Sequence, residues 1–129
     1  MYKLFVDGAS RGNPGPASIG ASLCHDGKEV KTVSVTIGEA TNNEAEYMAL
    51  ILGLQCVIET KIDEITVCAD SQLMVRQMTG EYRVKDEKLK RLHKKAKSLA
   101  DAFVRFSIHH IPREQNKRAD ELANQALDA

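Results

Sequence analysis

The chain has 129 residues, of which 43% are hydrophobic and 28% charged. That length suits one domain with a buried core and is too short for two, so we expect a single domain over residues 1–129. The longest apolar stretch is interrupted by Gly53, which argues against a membrane-spanning segment. The N-terminal apolar run is too brief for a signal peptide, so we expect a cytoplasmic protein with no membrane partner.

Cys24, Cys56 and Cys68 lie within apolar segments and show neither metal-ligand spacing nor a pairing pattern. They predict buried, reduced thiols of the kind found in cytosolic proteins.

The formal net charge is zero, but the charges are unevenly distributed. Residues 39–64 contain six acidic residues and one lysine, whereas residues 83–97 contain eight basic residues and two acidic ones. A basic run is usually a solvated helix face. The two regions together also suit a polyanion that is held on one surface and cut by metal ions at another.

The first third of the chain predicts an antiparallel sheet. Apolar alternation indicates strands over residues 2–7, 18–25 and 29–37, and the Asp26-Gly27 step is a good hairpin signal. A helix is expected over residues 44–59, with an N-cap from the cluster Thr41-Asn42-Asn43. Its apolar positions repeat at the helical period: Tyr47, Leu50, Ile51, Leu54, Val57 and Ile58.

The rest of the chain alternates strands and helices. We expect a strand over residues 64–70, a short helix over 71–79 and an amphipathic helix over 86–101. A fifth strand over 103–111 is ended by Pro112, and a final helix follows. That helix packs through Ala119, Leu122, Ala123 and Ala126. The order βββαβααβα predicts an α/β fold, a five-stranded mixed sheet with helices on both faces.

Four carboxylates occupy the ends or first turns of these elements. Asp7 and Asp70 close apolar runs, and Glu46 and Asp120 stand near helix N-termini. Carboxylates that converge repel one another unless cations lie between them. Magnesium prefers oxygen ligands, and two such ions about 4 Å apart can activate water and stabilise a leaving oxygen. No His/Cys spacing suggests zinc instead.

Each carboxylate also has a local structural interpretation, and the local sequence alone leaves both open. Asp7 could begin the turn at Gly8, and Asp70 could cap a helix beginning at Ser71. Glu46 could compensate a helix dipole, and Asp120 could be an ordinary solvated residue.

The flanking motifs resemble the type 1 ribonuclease H family over residues 2 to about 127. The motifs are Asp7-Gly8-Ala9-Ser10-Arg11-Gly12-Asn13-Pro14-Gly15-Pro16, Thr41-Asn42-Asn43-Glu44-Ala45-Glu46, Ala69-Asp70-Ser71-Gln72 and Asn116-Lys117-Arg118-Ala119-Asp120-Glu121-Leu122-Ala123. The resemblance implies hydrolysis of the RNA strand of RNA–DNA hybrids with two Mg²⁺ or Mn²⁺ ions. It assigns to those ions Asp7, Glu46, Asp70 and Asp120.

The same resemblance implies a set of substrate contacts. The positions that match the family's minor-groove contacts are Gly8, Asn13, Asn42 or Asn43, and Gln72. Thr41 and Asn13 match its phosphate pocket for the DNA strand. Short amides can both donate and accept hydrogen bonds, as a 2′-hydroxyl does, and that group distinguishes RNA from DNA.

The chain departs from part of the family in two places. Many members carry a loop histidine, for which this chain offers His110 or, with a shortened loop, the cation Arg113; we favour Arg113. His109 and His110 could equally be ordinary histidines at the end of a strand. The chain also lacks the basic, Trp-rich protrusion of some bacterial members and contains no Trp. It therefore resembles the compact archaeal-type members.

Three functions remain to be distinguished. The first is a metal-dependent endonuclease, which we expect to be a monomer that acts on RNA–DNA hybrids, with double-stranded RNA as a further candidate substrate. The second is a weakly active or non-catalytic nucleic-acid binding module of the same fold. The third, more remote, is an excised relative of an integrase, transposase or reverse-transcriptase domain.

Overall fold

A computed structural model describes all residues, 1–129, as five strands and four α-helices in the predicted order. The strands are β1 (Tyr2–Ser10), β2 (Gly15–His25), β3 (Lys28–Ala40), β4 (Glu64–Ala69) and β5 (Arg105–His110). The helices are α1 (Asn42–Glu59), α2 (Gln72–Met78), α3 (Glu87–Ala100) and α4 (Lys117–Asp128), and a 3₁₀ turn covers Arg113–Gln115.

The sheet is mixed, with strand order β3-β2-β1-β4-β5. β1, β2 and β3 pair antiparallel, as the hairpin signal predicted, whereas β4 pairs parallel to both β1 and β5. β1 and β4 run in the same direction, and Val6 and Ala69 are their last paired residues, so the residues that follow this pair meet at one edge of the sheet. Asp7 and Asp70 are those residues.

The prediction that the first strand ends at Asp7 is wrong. β1 continues to Ser10, and its pairing with β2 runs from Asp7 opposite Gly20 to Ser10 opposite Ala17. β2 therefore begins earlier than expected, at Gly15, and β3 extends to Ala40. Backbone hydrogen bonds continue the hairpin where small and polar residues no longer give an apolar alternation. The other element ends differ from the predictions by only one or two residues.

Two helices press against opposite faces of the sheet beside Asp7. A Cβ added to Gly8 would lie 2.2 Å from the backbone carbon of Ala45 in α1. A Cβ added to Gly20 would lie 2.2 Å from the backbone oxygen of Ala119 in α4. Gly20 is the cross-strand partner of Asp7, so α4 covers the face that carries Asp7, and α1 covers the other. Only glycine permits either approach.

The core lies between the sheet and α1. The apolar positions predicted for α1 are buried, except that Ile58 is half-buried, and they pack with Leu4 and Val6 of β1. Thr41 caps α1 as expected: its side chain accepts the N–H of Glu44, while the Glu44 carboxylate accepts the N–H of Thr41. This reciprocal capping box satisfies two otherwise unpaired donors at the helix N-terminus.

The structure also tests the predictions made for α3, for the cysteines and for membrane-spanning segments. In α3, Leu89 and Ala96 are buried and Leu92 and Leu99 are half-buried, while its lysines are exposed. All three cysteines are free thiols; Cys56 and Cys68 are buried, and Cys24 is partly exposed. None of the helices combines the length and the apolar character that crossing a bilayer requires.

Candidate metal centre

Three of the four predicted carboxylates converge at one edge of the sheet. One carboxylate oxygen from each of Asp7, Glu46 and Asp70 lies within 4.8 Å of the other two. Asp7 is only 7% exposed, and the other two are half-buried. The three side chains come from β1, α1 and the segment after β4, so the fold rather than a local loop brings them together.

Each carboxylate is held by its own element. Asp7 points from the body of β1 toward α4, and Glu46 lies in the early turns of α1. The N–H of Gly8 donates to Glu46 Oε1 at 2.8 Å, which ties α1 to the residue after Asp7. Asp70 follows β4, but it does not cap α2. Ser71 does so by accepting the N–H of Met74, which corrects the capping interpretation and leaves the Asp70 carboxylate free for the site.

Asn116 supports Asp70 from the segment before α4. Its side chain is 1% exposed, and its Nδ2 donates to the carbonyl of Val6 at 2.9 Å and to Asp70 Oδ2 at 3.1 Å. Its Oδ1 is buried without a hydrogen-bond partner. In the sequence this residue was only the first position of a motif, and no role was predicted for it. The side chain makes no capping hydrogen bond and turns inward instead.

Asp120 stands beside this group rather than within it. It lies in the first turn of α4, and its charge contributes to raising the pKa of Asp7. Its carboxylate also accepts a hydrogen bond from Asn124 Nδ2 at 3.3 Å. The structure thus brings three predicted ligands together and places the fourth next to Asp7.

The electrostatics of the group favour a bound cation. Burial, followed by the charges of Glu46, Asp70 and Asp120, raises the pKa of Asp7. Burial also raises the pKa of Glu46, a shift opposed by the Gly8 N–H and by the positive charge of Arg113. A divalent ion between the carboxylates would offset both the burial and the repulsion. The donor set is all oxygen, which fits Mg²⁺ or Mn²⁺ better than zinc.

The two candidates for a helper residue lie at different places. Arg113 is exposed in the 3₁₀ turn and close enough for its charge to lower the pKa of Glu46. His110 is the last residue of β5, exposed and opposite Ala69 of β4, so it lies within the strand, as registering that strand predicted. Arg113 is thus the candidate whose charge reaches a carboxylate of the site.

The predicted substrate contacts lie in the same elements as the carboxylates or in the segments next to them. Asn13 Oδ1 accepts the backbone N–H of Asn42 at 3.0 Å, which joins the β1–β2 turn to the start of α1. Asn42, Asn43 and Gln72 are exposed in the first turns of α1 and α2. Thr41 acts as a cap, and the N–H of Gly8 is already used by Glu46. Several of these residues therefore have a structural role, which is compatible with a contact to the substrate.

The raised pKa of Asp7 predicts a pH-dependent stability. Burial and the neighbouring carboxylates raise this pKa to about 9 from 3.8, so between those values the folded protein binds more protons than the unfolded chain. Its free energy of unfolding therefore falls as the pH rises across that interval. We expect Asp7→Asn to flatten this slope in metal-free protein. Near pH 8 it should stabilise the fold by at least about 1 kcal/mol, the equivalent of one pKa unit.

Urea unfolding in chelator at several pH values measures this effect. The control is Asp63→Asn, an exposed carboxylate before β4, which should leave the slope unchanged. Identical pH dependence in wild type and Asp7→Asn would show that burial does not perturb Asp7.

Comparisons with known proteins place this architecture in a family. A family model described as reverse transcriptase-like matches residues 5–126. The chain is 48% identical over 125 residues to ribonuclease HI of Halobacterium salinarum, which covers 96% of this chain and 63% of that protein. It is 46% identical over 126 residues to a bifunctional protein of Mycobacterium tuberculosis, covering 96% of this chain and 35% of the relative. The chain thus spans less than two thirds of the length of these relatives.

Solved structures agree with the sequence matches. The crystal structure of RNase H1 from Halobacterium salinarum has a TM-score of 0.96 at 47% identity and covers 98% of this chain and 97% of its own. LC11-RNase H1, solved in complex with an RNA/DNA hybrid, has a TM-score of 0.93 at 42% identity and covers 99% of this chain and 97% of its own. The eight residues that join α2 to α3, 79–86, contain no inserted protrusion. The chain therefore belongs to the type 1 ribonuclease H family, among its compact archaeal-type members.

Proposed function

We propose that this chain is a metal-dependent endonuclease that hydrolyses the RNA strand of RNA–DNA hybrids. The observation that carries the proposal is the group of Asp7, Glu46 and Asp70, whose oxygens lie within 4.8 Å of one another. A relative of 42% identity that is solved with an RNA/DNA hybrid supports the choice of substrate. A buried carboxylate group with raised pKa values in a family of nucleases is a strong functional candidate.

In this proposal Asp7, Glu46, Asp70 and Asp120 hold two divalent ions, Mg²⁺ or Mn²⁺. Such ions, when bound, supply activation of the attacking water and stabilisation of the leaving 3′ oxygen. Asn116 holds the Asp70 carboxylate in place through its 3.1 Å hydrogen bond. Arg113 is exposed, its charge acts on Glu46, and it offers a positive charge to the scissile phosphate; His110 is the alternative helper.

The remaining residues suit recognition of the hybrid. Asn42, Asn43 and Gln72 present exposed amides around the carboxylates, and an amide can both donate to and accept from a 2′-hydroxyl. Thr41 and Asn13, at the N-terminus of α1, lie where a helix dipole favours a phosphate of the DNA strand. Gly8, whose missing side chain makes room for α1, stays a proposed substrate contact through its backbone beside Asp7. We further propose that the protein acts as a cytoplasmic monomer and that double-stranded RNA is a second substrate.

Replacement of Asp70 by Asn tests the metal assignment. We expect Asp70→Asn to lower hybrid cleavage to below about a thousandth of the wild-type rate, the scale of losing a catalytic group. The fold should be retained, because the substituted amide keeps the size of the carboxylate. The measurement is cleavage of labelled RNA–DNA, RNA–RNA and single-ribonucleotide duplexes with Mg²⁺ or Mn²⁺.

Asp63→Asn, at the opposite end of β4, is the matched control and should cleave as the wild type does. Retained cleavage by Asp70→Asn would refute the metal assignment. Hybrid binding by the wild type with no metal-dependent turnover would instead support a non-catalytic binding module.

The exposed face of α3 offers a second contact for nucleic acid. Lys90 pairs with Glu87, whereas the other five cations of α3 are exposed and form no ion pair: Lys88, Arg91, Lys94, Lys95 and Lys97. Elsewhere the arginines Arg11, Arg76, Arg105 and Arg118 are each paired with a carboxylate. Unpaired cations on one helix are free to neutralise phosphates. They compensate in part for the absent protrusion, so we expect weaker, more salt-sensitive binding than in members that carry it.

A charge reversal on α3 tests this contribution. The Lys94→Glu, Lys95→Glu pair should weaken hybrid binding at low salt by at least about tenfold and lower the slope of log affinity against log salt by about one to two. The control pair is Lys28→Glu, Lys31→Glu on β3, which are exposed in the same way and should have a smaller effect. Fluorescence anisotropy against salt concentration gives both values. Equal effects of the two pairs would exclude α3 as a specific contact.

A further inference from the structure

A buried hydrogen bond links the helix that carries Glu46 to the helix that follows Asp70. The Tyr47 hydroxyl donates to Gln77 Oε1 at 2.6 Å, from α1 to α2. Tyr47 is 1% exposed and Gln77 5%, so water cannot replace either partner. Leaving such a buried polar group without its partner is costly, which makes this a specific contact between two otherwise apolar surfaces.

The third helix of this side of the sheet joins the same contact. His93 of α3 places Nε2 3.1 Å from the backbone oxygen of Gln77, and its ring meets the Tyr47 ring edge-on at 6.2 Å between centroids. Gln77 therefore receives a contact from α1 through its side chain and from α3 through its backbone. The position of α2 is determined by these polar contacts as well as by its packing.

Each partner of this hydrogen bond belongs to a helix that carries or directly follows a carboxylate of the site. Tyr47 directly follows Glu46 in α1. Gln77 lies on α2, a helix of seven residues that begins two positions after Asp70. Glu46 lies on α1 and Asp70 lies between β4 and α2, so their separation depends on how α2 sits against α1 as well as on the sheet. A shift of α2 would carry Ser71 and the adjacent Asp70 with it.

We propose that Tyr47 and Gln77 are positioning residues that set the distance between the Glu46 and Asp70 carboxylates. The inference rests on the proposed function, in which these carboxylates bind divalent ions. Metal ions of this type tolerate little change in ligand geometry, and residues that orient the ligands of a metal affect its affinity. Loss of the Tyr47 hydroxyl therefore weakens ion binding even though it touches no ligand oxygen.

If this hydrogen bond only stabilised the fold, metal affinity would return whenever stability was restored. Two substitutions distinguish that case from a positioning role. Tyr47→Phe keeps the ring and its contact with His93 but leaves Gln77 Oε1 without its donor. Adding Gln77→Met replaces that polar atom by an apolar side chain of similar length. The double variant should recover stability because no buried polar group is left unpaired, but it lacks the directional bond that fixes the helix spacing.

The experiment measures Mn²⁺ affinity by calorimetry without substrate and thermal unfolding in chelator. Tyr47→Phe should weaken Mn²⁺ binding by about threefold to tenfold, at or below the lower end of the effect of direct partners of metal ligands. Tyr47→Phe/Gln77→Met should regain most of the unfolding temperature but not the Mn²⁺ affinity. Tyr82→Phe, which removes an exposed hydroxyl bonded to Arg76 of α2, is the control and should bind Mn²⁺ as the wild type does.

Unchanged Mn²⁺ affinity in Tyr47→Phe would overturn the inference and leave the proposed function intact. Recovery of affinity together with stability in the double variant would also overturn it, because the bond would then be only structural. Absence of Mn²⁺ binding by the wild type would refute the proposed function itself, and the inference with it.

Discussion

The repulsion among Asp7, Glu46 and Asp70 is the interaction on which the rest of the site depends. Three carboxylates whose oxygens lie within 4.8 Å of one another, one of them almost fully buried, destabilise the metal-free protein. Burial contributes most to the raised pKa values of Asp7 and Glu46, and the neighbouring charges add to it. The group is held together because β1, α1 and the end of β4 confine the three carboxylates to one place. A cation bound among them converts this repulsion into binding energy.

Two glycines provide that confinement. Gly8 lets the backbone of α1 approach one face of β1, and Gly20 lets the backbone of α4 approach the opposite face of β2. Asp7 lies between them, in the body of a strand that is paired on both sides. Because both helices approach so closely, Glu46 of α1 and Asp120 of α4 lie near the carboxylate of Asp7, which is held by a paired strand. A site built on strands and helices holds its geometry more closely than one built on loops.

The sequence predicted the elements and the carboxylates of the site better than the residues that hold those carboxylates in place. The order of elements and the core face of α1 follow from periodicity, whereas the site role of the four acidic positions followed from the resemblance of their flanking motifs to a known family. The extension of β1 to Ser10 was missed because small and polar residues carry no apolar alternation, although backbone pairing continues through them. Asn116 had no predicted role, and Tyr47 was predicted only as a core residue. Their inward hydrogen bonds, to Asp70 and Gln77, join residues 46 and 30 positions apart and leave no local pattern.

The anomalous scattering of manganese in a crystal grown with Mn²⁺ would locate the ion independently of activity. We expect a peak within about 2.2 Å of oxygens from Asp7, Glu46 and Asp70, the usual distance for a small divalent cation. We expect a second peak on the Asp120 side of Asp7 when a hybrid is bound. Strong manganese peaks elsewhere, with none between these three carboxylates, would contradict the proposed metal site.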